Sequence, residues 1–275
     1  MLKIDLHLHS SCSDGVLSPG DLVRELRAKR VSIASLTDHD TLDGVKLFLA
    51  RCRKASIKGV SGVELSAAHD GVLHILGYRF NTENEAFISA LTQNRKARDA
   101  RNVLICEKLR DLGFDISLEE VKSCAGADSV GRPHIARVLW SKGYVPNLKA
   151  AFDRYLKRGA EAYFPRTLLS AEECIRLIRE AGGLAVLAHP RQTTPDLGDL
   201  PPLLSRLKNS GLWGLECWSS GNSNVEIYRC LEIADSFCLA PTAGSDFHGN
   251  GHSSSSVGVT VREDLLPWSH LCGGL

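Results

Sequence analysis

Histidines and carboxylates recur in this chain at spacings that suit a shared cation. The opening stretch, Lys3-Ile-Asp-Leu-His-Leu-His9, alternates into an H-x-H pair, and Asp14 follows after a short Ser/Cys turn. On a strand, side chains at i and i+2 share a face, so His7 and His9 can offer two imidazoles to one ion from a single rigid element. Asp38, His39, Glu64, His74, His189, Asp246 and His248 are further donors of the same kind. Mixed imidazole and carboxylate donors suit zinc, manganese or ferrous iron, and a carboxylate such as Glu64 can bridge two ions. So many donors exceed one tetrahedral site. They point to hydrolysis assisted by two or three divalent ions, with a water held between ions, rather than a side chain, as the nucleophile. No Gly-rich phosphate loop, Ser-His-Asp set or Rossmann fingerprint competes with that chemistry.

The elements that must carry these residues alternate. Ser18 as a cap, Pro19 at the first helical position and the stripe Leu22, Val23, Leu26 predict a helix after the H-x-H strand. Ser32–Thr41 reads as a short strand ending in a polar turn, Leu42–Ala55 as an amphipathic helix, and Gly59–Ser66 and Val72–Phe80 as two more strands. Later, Ser170 with Glu173 makes a capping box for a helix to Ala181, and Gly183–Pro190 is an apolar strand ending on His189. Helix 200–210, strand 211–217, helix 224–236 and strand 238–248 follow. The donors fall at or beside the C-terminal tips of these strands, and six of the ten histidines sit there. In an α/β barrel such tips converge on one face, where active sites are built.

Between these halves the rhythm breaks. Residues 85–159 read as consecutive helices joined by Gly-containing turns, too long for a simple crossover, so the chain divides into a barrel domain (1–84 and 160–275) and an all-helical insertion (85–159). Over residues 85–163 there are 14 basic and 10 acidic residues, net +4, against −3 for the remainder. The insertion is therefore the basic part. Arg95, Lys96, Arg98 and Arg101 fall at near-successive turns of its long helix, a basic face along which a short single strand could track. The overall charge of +1 excludes a strongly basic coat, and 43% hydrophobic content provides for a real core. With no long apolar run or leader-like start, the expectation is a cytoplasmic protein with no membrane span and no obligate protein partner. The nine cysteines, odd in number and without C-x-x-C, read as reduced, mostly buried thiols. His69, His252 and His270, in turns or the tail, carry no assigned role, the four tryptophans read as packing, and Cys12 reads as a small buried residue.

The stretches DLHLHSSCSDG, LTDHDT, GVELS, HILGY, LAHP and GSDFHG resemble, in order, the successive motifs of the PHP (polymerase and histidinol phosphatase) superfamily, over nearly the whole barrel portion. The resemblance implies a distorted seven-stranded (β/α) barrel with a trinuclear centre at its C-terminal face. By that analogy His7, His9, Glu64 and Asp246 would hold one ion, Glu64, His74 and His189 a second, and Asp14, His39 and His248 a third. Within the insertion, Ser129-Val-Gly-Arg-Pro-His-Ile-Ala-Arg137 is similar to a motif of the subgroup that includes nucleoside 3′,5′-bisphosphate phosphatases and 5′-to-3′ exonucleases on short RNA. It makes Arg132 and His134 the expected phosphate contacts, since a guanidinium fork matches phosphate oxygens. Arg191 is a further substrate-binding candidate, though it follows Pro190 directly where relatives have a Gly before the Arg. The expected activity is hydrolysis of a small phosphorylated nucleotide, a nucleoside 3′,5′-bisphosphate such as adenosine 3′,5′-bisphosphate, to AMP and phosphate. Alternatives are cleavage of short single-stranded RNA, a histidinol phosphatase, and a non-catalytic metal-bound module of the kind found in polymerases.

Overall fold

Short runs of buried aliphatic residues form eight strands in the computed structural model, which describes residues 1–125, 130–219, 221–249, 256–267 and 271. They are β1 (Leu2–Asp5), β2 (Ile33–Leu36), β3 (Lys58–Ser66), β4 (His74–Tyr78), β5 (Leu184–Leu187), β6 (Gly214–Ser219), β7 (Ala240–Gly244) and β8 (Val259–Val261). One sheet contains them all, in the order β7-β6-β5-β4-β3-β2-β1-β8. β1, β2 and β3 run parallel, as do β5, β6 and β7, while β4 is antiparallel to both its neighbours. The sheet curls into a nearly closed barrel because the chain beyond β1 pairs with the end of β7 and the chain beyond it. The Leu6 N–H donates to the Ala243 carbonyl (3.0 Å), Asp246 N–H to His7 (2.9 Å), and His9 N–H to Phe247 (3.0 Å).

Two features differ from a plain seven-stranded parallel barrel. β8 is an added strand, antiparallel to β1 through Leu2↔Val261 and Ile4↔Val259, and three residues are too few to show alternation in the sequence. The second is the direction of β4. His74 does not end a strand; it begins one, and because β4 runs backwards its start lies on the rim where the parallel strands finish.

Helices α1 (Pro19–Ala28) and α2 (Val45–Lys54) cover the β1–β3 side. Ser18 Oγ accepts the Asp21 N–H at 3.1 Å, Pro19 occupies the first turn, and Leu22, Val23 and Leu26 are buried. After β4 the described residues hold no strand until β5. Here lie α3 (Glu85–Asp111, capped by Asn84), α4 (Leu118–Ala125), α5 (Arg132–Ser141), α6 (Leu148–Ala151) with a wider turn over Phe152–Leu156, and α7 (Ala171–Glu180). Ile105, Leu109, Val121, Ile135, Leu139 and Leu156 form an apolar cluster of their own, separate from the barrel core of residues such as Val63, Ile75, Val186 and Leu215. α7 carries the capping box read from the sequence, with Ser170 Oγ accepting from Glu173 N–H and the Glu173 carboxylate accepting from Ser170 N–H. α8 (Pro190–Thr193), α9 (Leu200–Asn209) and α10 (Asn224–Ser236) complete the outer layer. Ser129, His252, Trp268, His270 and most of the Gly249–Ser256 loop lie outside the described residues. Among the described residues no helix is long and apolar enough to cross a membrane.

Candidate metal centre

The rim of the barrel gathers the histidines and carboxylates into three contiguous groups. In the first, His7 Nε2 lies 3.3 Å from Glu64 Oε2 and 3.3 Å from Asp246 Oδ1, and His9 Nε2 lies 3.2 Å from each of the same two oxygens. Donor atoms about 2.0 Å from a central ion in tetrahedral geometry stand about 3.3 Å apart, so these spacings are the edges of a zinc-sized coordination shell. His7 Nε2, His9 Nε2 and Glu64 Oε2 are buried without a hydrogen-bond partner. Buried polar atoms left that way are costly, and a shared cation is what would satisfy all of them at once. The donor set therefore fits a divalent ion.

Glu64 turns its other oxygen to a second group. Oε1 is 2.8 Å from His74 Nδ1 and 3.1 Å from His189 Nε2, and those two ring nitrogens are 3.1 Å apart. The third group is looser. Asp14 lies 3.6 Å from His39 Nε2, 3.3 Å from His248 Nε2 and 3.7 Å from His9 Nδ1. His39 also presents Nδ1 to Glu64 Oε2 at 3.1 Å, so it stands between the second and third groups. All nine residues expected from the sequence as ligands are thus brought together on one rim. Burial opposes charge on Glu64, but His74, His39 and His7 outweigh it and hold the carboxyl well below its ordinary range. Burial pushes His39 down to about 3, which leaves it neutral and able to donate a lone pair.

Other residues set this geometry. Asp38, just beyond the end of β2, faces the 10–15 loop and accepts from Ser10 N–H (2.7 Å), Ser10 Oγ (2.6 Å) and Ser13 Oγ (2.6 Å), so it orders the loop carrying Asp14. Gly244 lets β7 come against the first histidine, since a Cβ there would meet His7 Cβ at 2.2 Å. His189 (φ 24°) and Asp246 (φ 53°) both sit in the left-handed region, a strain of roughly 1–3 kcal/mol each for non-glycine residues that surrounding bonds must hold in place. Glu216, on β6, had no role in the sequence reading. Its carboxylate is buried against His7 and the His189 backbone, and nothing in GLECWSS marks it out.

A cavity of about 320 Å³ opens over these groups, and its far wall is made of arginines: Arg98, Arg101, Arg132 and Arg166. Arg98 and Arg101 are only 7% and 8% exposed, so they do not form the surface track for a single strand that their spacing with Arg95 and Lys96 suggests. Arg98 Nη2 bonds Asp40 Oδ2 at 2.5 Å, and Arg166 reaches the same oxygen at 3.4 Å. Burial, then the neighbouring guanidiniums, pull Arg101 down to about 9, and burial with Arg98 pulls Arg166 to about 10. Asp40 is paired with two of these four guanidiniums, Arg98 and Arg166, so the wall carries more positive charge than that carboxylate balances. Arg132, expected as a phosphate contact, is on this wall, with Nη1 on the Leu156 carbonyl at 3.1 Å. His134 and Arg191 are not brought to it. His134 Nδ1 accepts the Gly131 N–H at 2.9 Å at the start of α5, and Arg191 is paired with Glu226.

The PHP domain profile matches residues 5–174. A 5′-3′ exoribonuclease of Haemophilus influenzae is 33% identical over 247 residues, 90% of each chain. A 3′,5′-nucleoside bisphosphate phosphatase of Chromobacterium violaceum is 30% identical over 276 residues, 97% of this chain and 94% of that one. The crystal structure of a candidate metal-dependent phosphoesterase of Bifidobacterium adolescentis, 29% identical, superposes with a TM-score of 0.87 over 98% of this chain and 96% of its own. With its donor rim, its arginine wall and a domain match over more than half its length, this chain belongs to the PHP domain family and is a metal-dependent phosphoesterase.

Proposed function

We propose that this enzyme removes one phosphate from a nucleoside 3′,5′-bisphosphate, from adenosine 3′,5′-bisphosphate to leave AMP, using two or three divalent ions of manganese, zinc or iron. The observation that carries the reading is the pairing of two unlike walls across one cavity, a rim of metal-type donors and a cluster of four arginines, two of them buried. Ions held by His7, His9, Glu64 and Asp246, by Glu64, His74 and His189, and by Asp14, His39 and His248 would polarise the phosphoryl oxygens and make water a competent nucleophile at neutral pH. The chain's own part is positioning. Arg98, Arg101, Arg132 and Arg166 hold the phosphate that is not cleaved, and Asp40 fixes two of those guanidiniums so that their forks need little reordering on binding. With the 5′-phosphate on the arginines, the 3′-phosphate faces the donor rim. The bisphosphate phosphatase of Chromobacterium violaceum, similar over nearly the whole chain, supports this choice of substrate.

A second reading, 5′-to-3′ cleavage of short single-stranded RNA, is favoured by a cavity of about 740 Å³ that adjoins the first and shares Arg101, Arg132 and Arg166 with it. A strand whose 5′-phosphate occupies the arginine wall would present its first 3′ phosphodiester to the rim and run on through that cavity, past Arg158 and Tyr163. The test is release of phosphate or mononucleotide from adenosine 3′,5′-bisphosphate, AMP, histidinol phosphate, an aryl phosphate and 5′-phosphorylated short RNA, with manganese added. The bisphosphate should give the highest kcat/KM; preference for histidinol phosphate or the aryl phosphate would overturn the assignment.

A further inference from the structure

Glu216 lies on β6 between β5, which leads into His189, and β7, which ends at Gly244. The residue is 1% exposed. Oε1 is 3.0 Å from His7 Nδ1, and Oε2 accepts the His189 backbone N–H at 2.7 Å. Neither oxygen faces the cavity or joins the donor groups, so Glu216 does not compete as a ligand. We infer that Glu216 is a positioning residue that fixes two donors from different strands, holding His7 as its Nδ1–H tautomer with Nε2 free for an ion and holding His189 in its left-handed backbone conformation.

The inference rests on the metal reading of the rim and deepens it. An imidazole has one lone pair to give when neutral, and a carboxylate at Nδ1 obliges the proton to stay there. That leaves the Nε2 lone pair aimed at Glu64 and Asp246, 3.3 Å from an oxygen of each. His189 carries a second constraint. Its φ of 24° and ψ of 68° are unfavourable for a residue with a Cβ, and the buried N–H exposed by that turn finds its acceptor in Glu216. Released from it, the backbone could relax and carry Nε2 away from Glu64 and His74. Space for the carboxylate depends on Gly244, where a Cβ would come within 2.8 Å of Glu216 Oε1. One buried side chain therefore connects the first donor group, through His7, with the second, through His189.

Glu216→Gln is the informative substitution because it keeps the shape and changes one acceptor into a donor. An amide cannot accept from both His7 Nδ1–H and His189 N–H. If its oxygen faces His189, its NH2 donates to His7 Nδ1 and drives the ring proton onto Nε2, where it blocks the ion; if the oxygen faces His7, two donors meet at His189. The protein is stripped with chelator and titrated with manganese or zinc against an indicator dye, alongside Glu216→Asp, which keeps the carboxylate, and His9→Ala, which removes a donor outright. Glu216→Gln should weaken the tightest site by about 10- to 100-fold, with Glu216→Asp recovering part of the loss. Long-range proton–nitrogen NMR of the parent protein loaded with zinc should show His7 protonated at Nδ1, a measurement that needs no variant to fold. Parent-like metal affinity in Glu216→Gln, or an Nε2–H tautomer of His7 in the parent, would overturn the inference. If instead His9→Ala binds metal as tightly as the parent, the metal reading itself fails, and the two failures are distinct.

Discussion

Glu64 is the residue on which the rim depends most, because its two oxygens reach different donor groups, Oε2 toward His7, His9 and His39 and Oε1 toward His74 and His189. His9 tests the first group at less cost to the rest. His9→Ala should lower the bound metal found by elemental analysis after purification and cut activity strongly while leaving the far-ultraviolet circular dichroism unchanged; full activity from metal-free protein would refute the metal centre altogether. On the opposite wall, Arg132→Ala removes charge-assisted contacts worth about 1.5–3 kcal/mol, so kcat/KM for the bisphosphate should fall roughly ten- to a hundred-fold or more, and for a generic aryl phosphate far less. Equal losses on the two substrates would make Arg132 structural. The donors were legible in the sequence because a charged or imidazole residue at the end of an apolar strand breaks the pattern visibly. The arginine wall was only partly so: Arg132 sits in a recognisable Gly-Arg-Pro-His motif, whereas Arg166 comes from an irregular stretch with no periodicity to place it.

At the scale of elements, α3 holds the lesson of what was misplaced. Phe87, Leu91, Asn94, Arg98, Arg101, Ile105 and Leu109 are buried along one stripe at steps of three and four, so Arg98 and Arg101 continue the apolar face of the helix. That spacing was present in the sequence, and charge counting alone put the two arginines on the solvent side. Asp40 is the carboxylate that makes the burial of Arg98 tolerable, and its own ionisation, opposed by burial, is secured by Arg98 and Arg166. Asp40→Asn should cost about 3–5 kcal/mol by stranding buried charge, and inorganic phosphate should restore part of the lost stability, by up to about 2.7 kcal/mol at a hundredfold excess over its Kd, read as a raised melting temperature. No phosphate effect on the variant would mean that the wall does not take that anion. On β7, Gly244→Ala would drive a methyl into the Cβ and backbone nitrogen of His7, so both the melting temperature of the metal-free protein and its metal affinity should fall. The capped helices α1 and α7 were readable because a cap is a local, short-range signal. β8 and the reversal of β4 were not, since both are decided by which distant strands the chain meets.

Across the whole molecule, the question is how far a substrate extends beyond the rim. The two adjoining cavities share the arginine wall, and the second is lined by the β3–β4 turn and by residues 163–166, with Arg158 paired to Asp70 at 2.8 Å on its edge. A mononucleotide that fills the first cavity engages the arginine wall and the donor rim, whereas a longer strand places additional phosphates near exposed charge. Each phosphate neutralised releases counterions, so raising salt from about 50 to 200 mM should weaken cleavage of 5′-phosphorylated RNA more steeply than hydrolysis of the bisphosphate. Arg158→Ala should reproduce that selective loss at low salt, because Arg158 lines the second cavity and not the first. Arg95 and Lys96, on the outer side of α3, serve as the contrast: Arg95 is engaged with Asp43 at 2.9 Å and Lys96 is exposed, and neither borders a cavity described above. If Arg95→Ala with Lys96→Ala impairs RNA cleavage while Arg158→Ala does not, the strand runs along α3 and the adjoining cavity is not its path. Parallel salt slopes for the two substrates would instead confine the enzyme to ligands no longer than the first cavity.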